Sequence, residues 1–453
     1  MNKKIADQLW LILNKVRGII EISDLCKFLI CAFFLKYVEI QYREDKWGYA
    51  ECVYDEKFSV GYLSLTYGKM INKFDLVNYV TRLEREFNIE ENVISDELGR
   101  LLDKVDEKIS KLIFGEVDKI CFESSGQMYE VALRILNKLS STNGKTTGAY
   151  FTNVSISKLE KSLLDCKEDM LVYDGFCGCG VSANEVANHK GIVFLQDINV
   201  SILAIASVMT ILKGNKIGKI RCGDSLLNPI VDRTYDRIVA EPPFMPKYGE
   251  DYLLSIPQNN CVYSDILNSD SIVLRHVISH LKDDGMAAVL VPMGTLFKSG
   301  RMAEIRKILI ENHIDTVIEL PTGVWPNALI STALLILKKH KDTNSIYMIN
   351  AKEYFEKVDK SQNIINDENI IKIVELFHTK EDKEAISYNA PVEEIAANGF
   401  NLCTTQYVTR NIKDTIIIED NKKYLKKYDD LVKRLAQIDK QLENLRSRLM
   451  KVQ

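Results

Sequence analysis

Four consecutive residues, Glu241, Pro242, Pro243 and Phe244, are the part of this 453-residue sequence best suited to chemistry. They follow the apolar run "DRIVA", so a carboxylate, a rigid proline pair and an aromatic ring leave the end of a buried strand together. A carboxylate accepts hydrogen bonds, and an aromatic face stacks on a planar group. Upstream, "VYDGFCGCGVSANEVA" (Val172 to Ala187) ends a strand at Asp174 and turns through Phe176, Gly178 and Gly180 into a helix. Glycines there let the backbone approach a ligand, and a helix N-terminus favours acceptor-rich groups; a plain strand–helix turn has the same signature. "FLQDIN" sets Asp197, followed by Ile198, at the end of the next strand, where a carboxylate can accept both hydroxyls of a ribose. "RCGDSLLNP" offers Asp224 and Ser225 after a third strand, although a single Asp there is more often a turn former or a helix cap. Three such features in order on successive strands favour a ribose-bearing ligand.

These residues need a scaffold that delivers them to one edge. From about residue 149 to 340 the runs "MLVYDG", "GIVFLQDI", "DRIVAEPP", "MAAVLVPMG", "IDTVIELP" and "STALLILKK" read as strands buried on both faces. Segments such as "VSANEVANHK" and "SILAIASVMTILKG" between them read as helices. This alternation predicts an α/β fold with a parallel, doubly wound sheet that binds ligands at the carboxyl ends of its strands. Residues 1–140 carry apolar residues at helical spacing, and the polar stretch from Ser140 to Gly148 marks a boundary. After Lys339 the chain becomes mixed and polar. The segment beyond Asp420 then repeats Tyr428, Leu431, Leu435, Ile438, Leu442, Leu445 and Leu449 as a heptad seam that requires a partner helix.

Composition narrows the class. With 46% hydrophobic and 27% charged residues the chain is an ordinary globular one. A net charge of −4 does not advertise a nucleic-acid partner, but 59 Lys and Arg leave room for a local basic surface. Ten cysteines and six histidines form neither a disulfide framework nor a metal-spaced cluster, so no metal is expected and a reducing cytoplasm is. Cys177 and Cys179 read as small packing residues of the glycine turn. The apolar stretch from Ile19 to Val38 is interrupted by Glu21, Asp24, Lys27 and Lys36, which predicts a buried helix and no membrane span.

The Glu-Pro-Pro-Phe segment resembles the Asn/Asp-Pro-Pro-Tyr/Phe tetrapeptide of methyltransferases that act on exocyclic amino groups of bases. "GAYFTN" (Gly148 to Asn153) resembles the Gly-x-Phe/Tyr-Phe/Tyr-Thr-Pro element that precedes their glycine loop. The likeness extends through "FLICAFFLKYVEIQYRE", "YEVALRILNK", "VLVPMGTLFKSGRMAEIRKILIENHIDTVIELPTGVWPNALISTALLILKK" and "PVEEIAANGFNLCTTQYV". Together they resemble the modification subunits of type I restriction–modification systems, N6-adenine DNA methyltransferases.

The resemblance implies a Rossmann-like methyltransferase sheet with a helical N-terminal domain (1–140), a catalytic domain (149–345), a mixed connecting segment (346–420) and a coiled-coil-like helix for subunit contact (421–453). It implies S-adenosylmethionine as cofactor, held by Tyr150, Phe151, Thr152, Asp174, Phe176, Gly178, Gly180, Asp197, Ile198, Asp224 and Ser225. Glu241, Pro242, Pro243 and Phe244 would be catalytic, with the adenine flipped out of the duplex onto Phe244. Double-stranded DNA, a specificity subunit and a restriction subunit are the implied partners. Three positions depart from the pattern: Glu241 replaces Asn or Asp, Asn153 replaces proline, and Gly175 follows Asp174 where proline is common. Two further readings therefore stay open, an activity-impaired subunit that binds cofactor, DNA or partners as a scaffold, and the same chemistry on RNA or a protein amide.

Overall fold

The computed structural model describes residues 1–16, 18–44, 54–142, 153–230, 234–242, 248–263, 268–269, 271–324, 331–358 and 363–408, with five single positions between 428 and 438. Seven helices open the chain: α1 (Asn2–Lys15), α2 (Ile22–Arg43), α3 (Val60–Thr66), α4 (Lys73–Glu86), α5 (Ile94–Lys104), α6 (Glu107–Asp118) and α7 (Ser125–Thr142). Their starts are written locally. Ser59 caps α3, Asn72 and Asp75 form a reciprocal capping box on α4, and Asp106 caps α6.

The apolar stretch that includes α2 is a buried helix, as its composition predicts, because a helix apolar on all sides needs protein around it. It packs against α5, α6 and α7. The charges that interrupt it are matched by neighbours: Asp24 meets Arg100 at 2.8 Å and Lys104 at 2.7 Å, and Lys36 meets Asp118 at 3.1 Å. Among the described residues no helix is long and apolar enough to cross a membrane.

A nine-stranded sheet follows. The chain enters it through α8 (Val154–Leu164), then β1 (Leu171–Asp174), α9 (Val181–Ala187), β2 (Ile192–Asp197), α10 (Val200–Lys213), β3 (Lys216–Cys222) and β4 (Tyr235–Ala240). After α11 (Glu250–Ser255) and α12 (Ile272–His280) come β5 (Leu281–Pro292), α13 (Gly294–Phe297), α14 (Arg301–Asn312), β6 (Ile314–Glu319), β7 (Thr332–Lys338) and β8 (Ser345–Asn350). A small hairpin, β9 (Glu356–Lys357) with β10 (Asn363–Ile364), precedes α15 (Asp367–Thr379), β11 (Ser387–Pro391), α16 (Val392–Ala397) and α17 (Thr405–Val408). Spatial order in the sheet is β11-β8-β6-β7-β5-β4-β1-β2-β3. α10 lies against β2 and β3 on one side and against α2, α5 and α7 on the other, which joins the helical and sheet portions in one core.

Two features differ from a uniformly parallel reading. β7 runs antiparallel to both β5 and β6. A parallel return needs a crossover, usually a helix, and residues 320–331 contain none among the described positions. Apolar runs buried on both faces look alike in either direction, so composition could not separate them. In addition, β8 and β11 from the polar segment after Lys339 extend the sheet, with β11 antiparallel to β8 at the edge. The heptad segment lies outside the described residues except for Tyr428, Leu431, Lys433, Arg434 and Ile438, which are helical and exposed.

One helix start depends on a distant side chain. Val93 at the N-cap of α5 has no acceptor, and Glu84 of α4, fully buried, accepts the backbone N–H groups of Asn92, Ile94 and Ser95 and the Ser95 hydroxyl. Removing the carboxylate leaves several buried donors without an acceptor. Glu84→Ala should lower stability by about 3 kcal/mol, read as a reduced urea midpoint with unchanged slope. A shift below about 0.5 kcal/mol would show that α5 does not need this cap.

Candidate functional site

The order of strands reverses at β1, with β2 and β3 on one side and β4 and β5 on the other, so a crevice opens beyond the carboxyl ends of β1 and β4. Val172 lies opposite Arg237 and Tyr173 opposite Ile238, and this register brings Asp174 and Glu241 to the same edge. Tyr173 and Tyr235 stack below it at 4.5 Å and 12°, giving the edge a rigid floor.

The turn after β1 is fixed from three directions. Gly180 N–H donates to the Cys177 carbonyl at 2.7 Å, Cys177 N–H to the Gln196 carbonyl of β2 at 3.1 Å, and Gly178 N–H to Asp197 Oδ2 at 2.9 Å. Gly178 and Gly180 take positive φ values of 50° and 74°. A Cβ on Gly180 would also meet Ala206, Asn184 and Leu195 at 3.2 Å each. Cys177 and Cys179 are buried, and burial pushes the Cys179 thiol up to about 12, which suits a packing role.

Asp197 accepts Gly178 N–H on one oxygen and Asn199 N–H on the other, the latter at 2.9 Å, so its orientation is set before any ligand arrives. Burial still lifts its carboxyl above the usual range, against the pull of these backbone donors. Ile198 beside it is 73% exposed, an apolar face offered to the crevice. Asp224 is a turn former: Oδ1 accepts Leu226 N–H at 2.9 Å, and Oδ2 accepts the Tyr252 hydroxyl at 2.7 Å. Tyr252 stacks on Tyr248 at 4.7 Å. Ser225 is buried, and its Cβ lies 3.2 Å from where a Cβ on Gly175 would stand, so glycine rather than a larger residue follows Asp174. Phe176 donates its N–H to Asp174 Oδ1 at 3.0 Å and sets its ring edge-on to His276.

Asp174 is buried, and burial, then the negative charges of Glu241 and Asp197, push its carboxyl well above the usual range. Glu241 Oε1 accepts the Ser182 hydroxyl of α9 at 2.7 Å, and Ser182 meets Ser157 of α8 at 2.9 Å. Behind them lies Glu160, fully buried on α8. Among the described residues no lysine or arginine pairs with Asp174, Asp197 or Glu160. The edge therefore gathers carboxyl groups that are held by backbone donors and serine hydroxyls.

The structure thus gathers Asp174, Phe176, Gly178, Gly180, Asp197, Ile198, Asp224, Ser225, Glu241 and Pro242 around one edge. Tyr150, Phe151, Thr152, Pro243 and Phe244 lie outside the described residues. Asn153, where proline was the pattern, caps α8 through Ser155 N–H at 3.0 Å and donates to the Val324 carbonyl, a bond proline has no side chain to make. Sequence reasoning missed Ser182, Tyr252 and Glu160. A signal for Glu160 was present: with Ile156, Leu159, Leu163 and Leu164 it shares the apolar face of its helix, where a carboxylate is out of place.

Three comparisons bear on this site. Residues 123–415 match the family model described as N-6 DNA Methylase. The methylase subunit of the type I restriction enzyme MjaIX from Methanocaldococcus jannaschii is 28% identical over 74% of this chain and 64% of its own length. That of MpnII from Mycoplasma pneumoniae is 25% identical over 72% of this chain and 65% of its own length. The chain thus spans slightly under two thirds of these relatives. The fold matches the type I restriction-modification system methyltransferase subunit from Streptococcus thermophilus with a TM-score of 0.73 at 21% identity, covering 90% of this chain and 99% of that one. It also matches a chain from a structure of type I R-M complex assembly and conformational transition, with a TM-score of 0.65 at 19% identity over 98% of this chain and 99% of that one.

The turn's dependence on glycine can be measured. Gly180→Ala forces a Cβ into left-handed backbone and into three neighbours, and should lower stability by roughly 1–2 kcal/mol. An unchanged thermal midpoint would mean that the turn relaxes without cost.

Proposed function

This chain belongs to the N-6 DNA methylase family, and from that premise we propose that it is the methyl-transferring subunit of a type I-like restriction–modification system. Its substrate is an adenine turned out of double-stranded DNA, methylated at the exocyclic N6, with S-adenosylmethionine as donor. The observation that carries this reading is the acidic edge beside a glycine turn, where Asp174 is buried, Asp197 and Glu241 are half-buried, and Gly178 N–H is held by Asp197. S-adenosylmethionine, when bound, supplies an electrophilic methyl group on a positive sulphur, which such an edge would stabilise.

Each residue then has a task. Asp197, already oriented by two backbone donors, accepts ribose hydroxyls, and Ile198 lends an apolar face. Asp224 and Ser225 form the polar rim, with Tyr252 as a partner that a ligand must share or displace. Tyr150, Phe151 and Thr152 complete the cofactor set by resemblance. Glu241 accepts a hydrogen bond from the adenine amino group and, with the carbonyl of Pro242, holds it in line for transfer. Pro243 stiffens that geometry and Phe244 stacks on the base. The heptad segment after Asp420 joins a specificity subunit that reads the DNA sequence, and a restriction subunit completes the assembly in the cytoplasm. Residues 1–140 form the helical domain that packs beside the catalytic domain of 149–345, whose sheet β8 and β11 extend.

Calorimetric titration of S-adenosylmethionine should give micromolar binding that weakens at least about tenfold, roughly 1.4 kcal/mol, in Asp197→Ala. A folded chain that binds none would sink the cofactor assignment. Methyl transfer to adenine-containing duplex by the chain with its specificity subunit should be present in the wild type. Binding without transfer, with transfer gained in Glu241→Asn, would establish the scaffold reading in its place.

A further inference from the structure

The tasks assigned above leave one buried acid unused. Glu160 is 0% exposed, and neither of its carboxyl oxygens has a hydrogen-bond partner at ordinary geometry. The nearest donor is the Ser182 hydroxyl, but Ser182 Oγ already lies 2.7 Å from Glu241 Oε1. Ser157, one turn before Glu160 on α8, closes the frame at 2.9 Å from Ser182. Among the described residues, the charged groups facing Glu160 are Glu241 from the end of β4 and Asp174 from the end of β1, both acidic. Neighbouring lysines on its own helix point elsewhere: Lys158 to Asp367 at 2.8 Å, and Lys161 to Asn188 at 2.8 Å.

A carboxylate buried without a donor or counter-charge is too costly to persist; the group keeps its proton instead. Burial first, and the charge of Glu241 second, push the Glu160 carboxyl well above its usual range. A neutral carboxyl is a hydrogen-bond donor, and the acid that faces this one most strongly is Glu241. Two acids that close share protons as a pair rather than titrate separately.

We propose that Glu160 and Glu241 form a carboxyl–carboxylate pair holding one proton, framed by Ser157 and Ser182, and that Glu160 is thereby the positioning residue for Glu241. The pair accounts for a glutamate where the family pattern has Asn or Asp: the longer side chain is tied back by Ser182 and Glu160, which restores a fixed acceptor at the strand end. The pairing rests on the unpartnered Glu160 oxygens and the serine frame they share with Glu241; its service to methyl transfer rests on the function proposed above.

The test uses the full chain without cofactor or DNA, so its outcome is separate from that of the transferase reading. The sign follows from the raised carboxyl. Stability from burying neutral Glu160 is fully present below its unfolded value, about 4.5, and is lost as pH rises through the folded value. Glu160→Gln, which cannot ionise, should therefore melt close to the wild type near pH 5 and increasingly above it towards pH 9. In a Glu241→Gln background, with the facing charge gone, that difference should narrow without vanishing, because burial of Glu160 remains. Infrared spectra at pH 7 should show a protonated carboxyl stretch that disappears in Glu160→Gln and moves in Glu241→Gln. Parallel melting curves for wild type and Glu160→Gln across that range, or a carboxyl band indifferent to Glu241→Gln, would overturn the pair. Should Glu160→Gln not fold, the band in Glu241→Gln decides alone: movement supports the pair, and an unmoved band removes it.

Discussion

The reversal of strand order at β1 is the constraint on which the rest depends. Adjacent parallel strands whose connections leave in opposite directions cannot cover the gap between them, so the carboxyl ends of β1 and β4 open onto a crevice. Everything placed there must come from strand ends or from the turns that follow them. Asp174, Asp197 and Glu241 each stand at such an end, and the glycine turn fits between them because Gly178 N–H can reach Asp197.

An acidic crevice in a packed protein is not stable by default. Carboxylates removed from water require donors or cations, and this edge supplies backbone N–H groups and serines but no lysine or arginine for Asp174, Asp197 or Glu160 among the described residues. The contrast with the helical portion is informative. Asp24 in α2 is equally buried yet is matched by Arg100 and Lys104, which hold its carboxyl below the usual range against burial, while Asp174 is pushed above it. Acids paired with cations are structural here. Glu84 is satisfied instead by backbone donors of α5, whereas Asp174 and Glu160 lie at the strand ends with fewer donors.

The packing of α10 explains why this edge is held rigidly. That helix is buried along almost its whole length, with β2 and β3 beneath it and α2, α5 and α7 above. Its N-cap, Asn199, is two residues from Asp197 and receives Ser201 N–H at 3.1 Å, so the carboxylate's orientation is tied to the seating of the helix. Ser201 continues the link to Glu97 of α5 at 2.7 Å. The helical portion thus buttresses the Asp197 end of the site.

How much of this could be read beforehand follows the range of the forces involved. Strand identity, the buried nature of α2, the caps and the glycine turn are local consequences of residue type and spacing, and the sequence by itself determined them. So did the ordered appearance of Asp174, Asp197, Asp224 and Glu241 at strand ends, and with it the family resemblance. Strand direction did not follow, because β7 is buried on both faces in either sense. The joining of β11 was equally hidden, since an edge strand such as Ser387–Pro391 carries polar residues like those of loops, whereas the short apolar core of β8, Ile346 to Ile349, stands within a polar stretch that masks it. Above all, only the tertiary structure brings Ser182 of α9 onto the Glu241 carboxyl and sets Ser157 of α8 behind it, on helices remote in sequence from Glu241. A buried polar group finds its partners wherever the fold brings them within about 3 Å, and no periodicity in the chain records that distance.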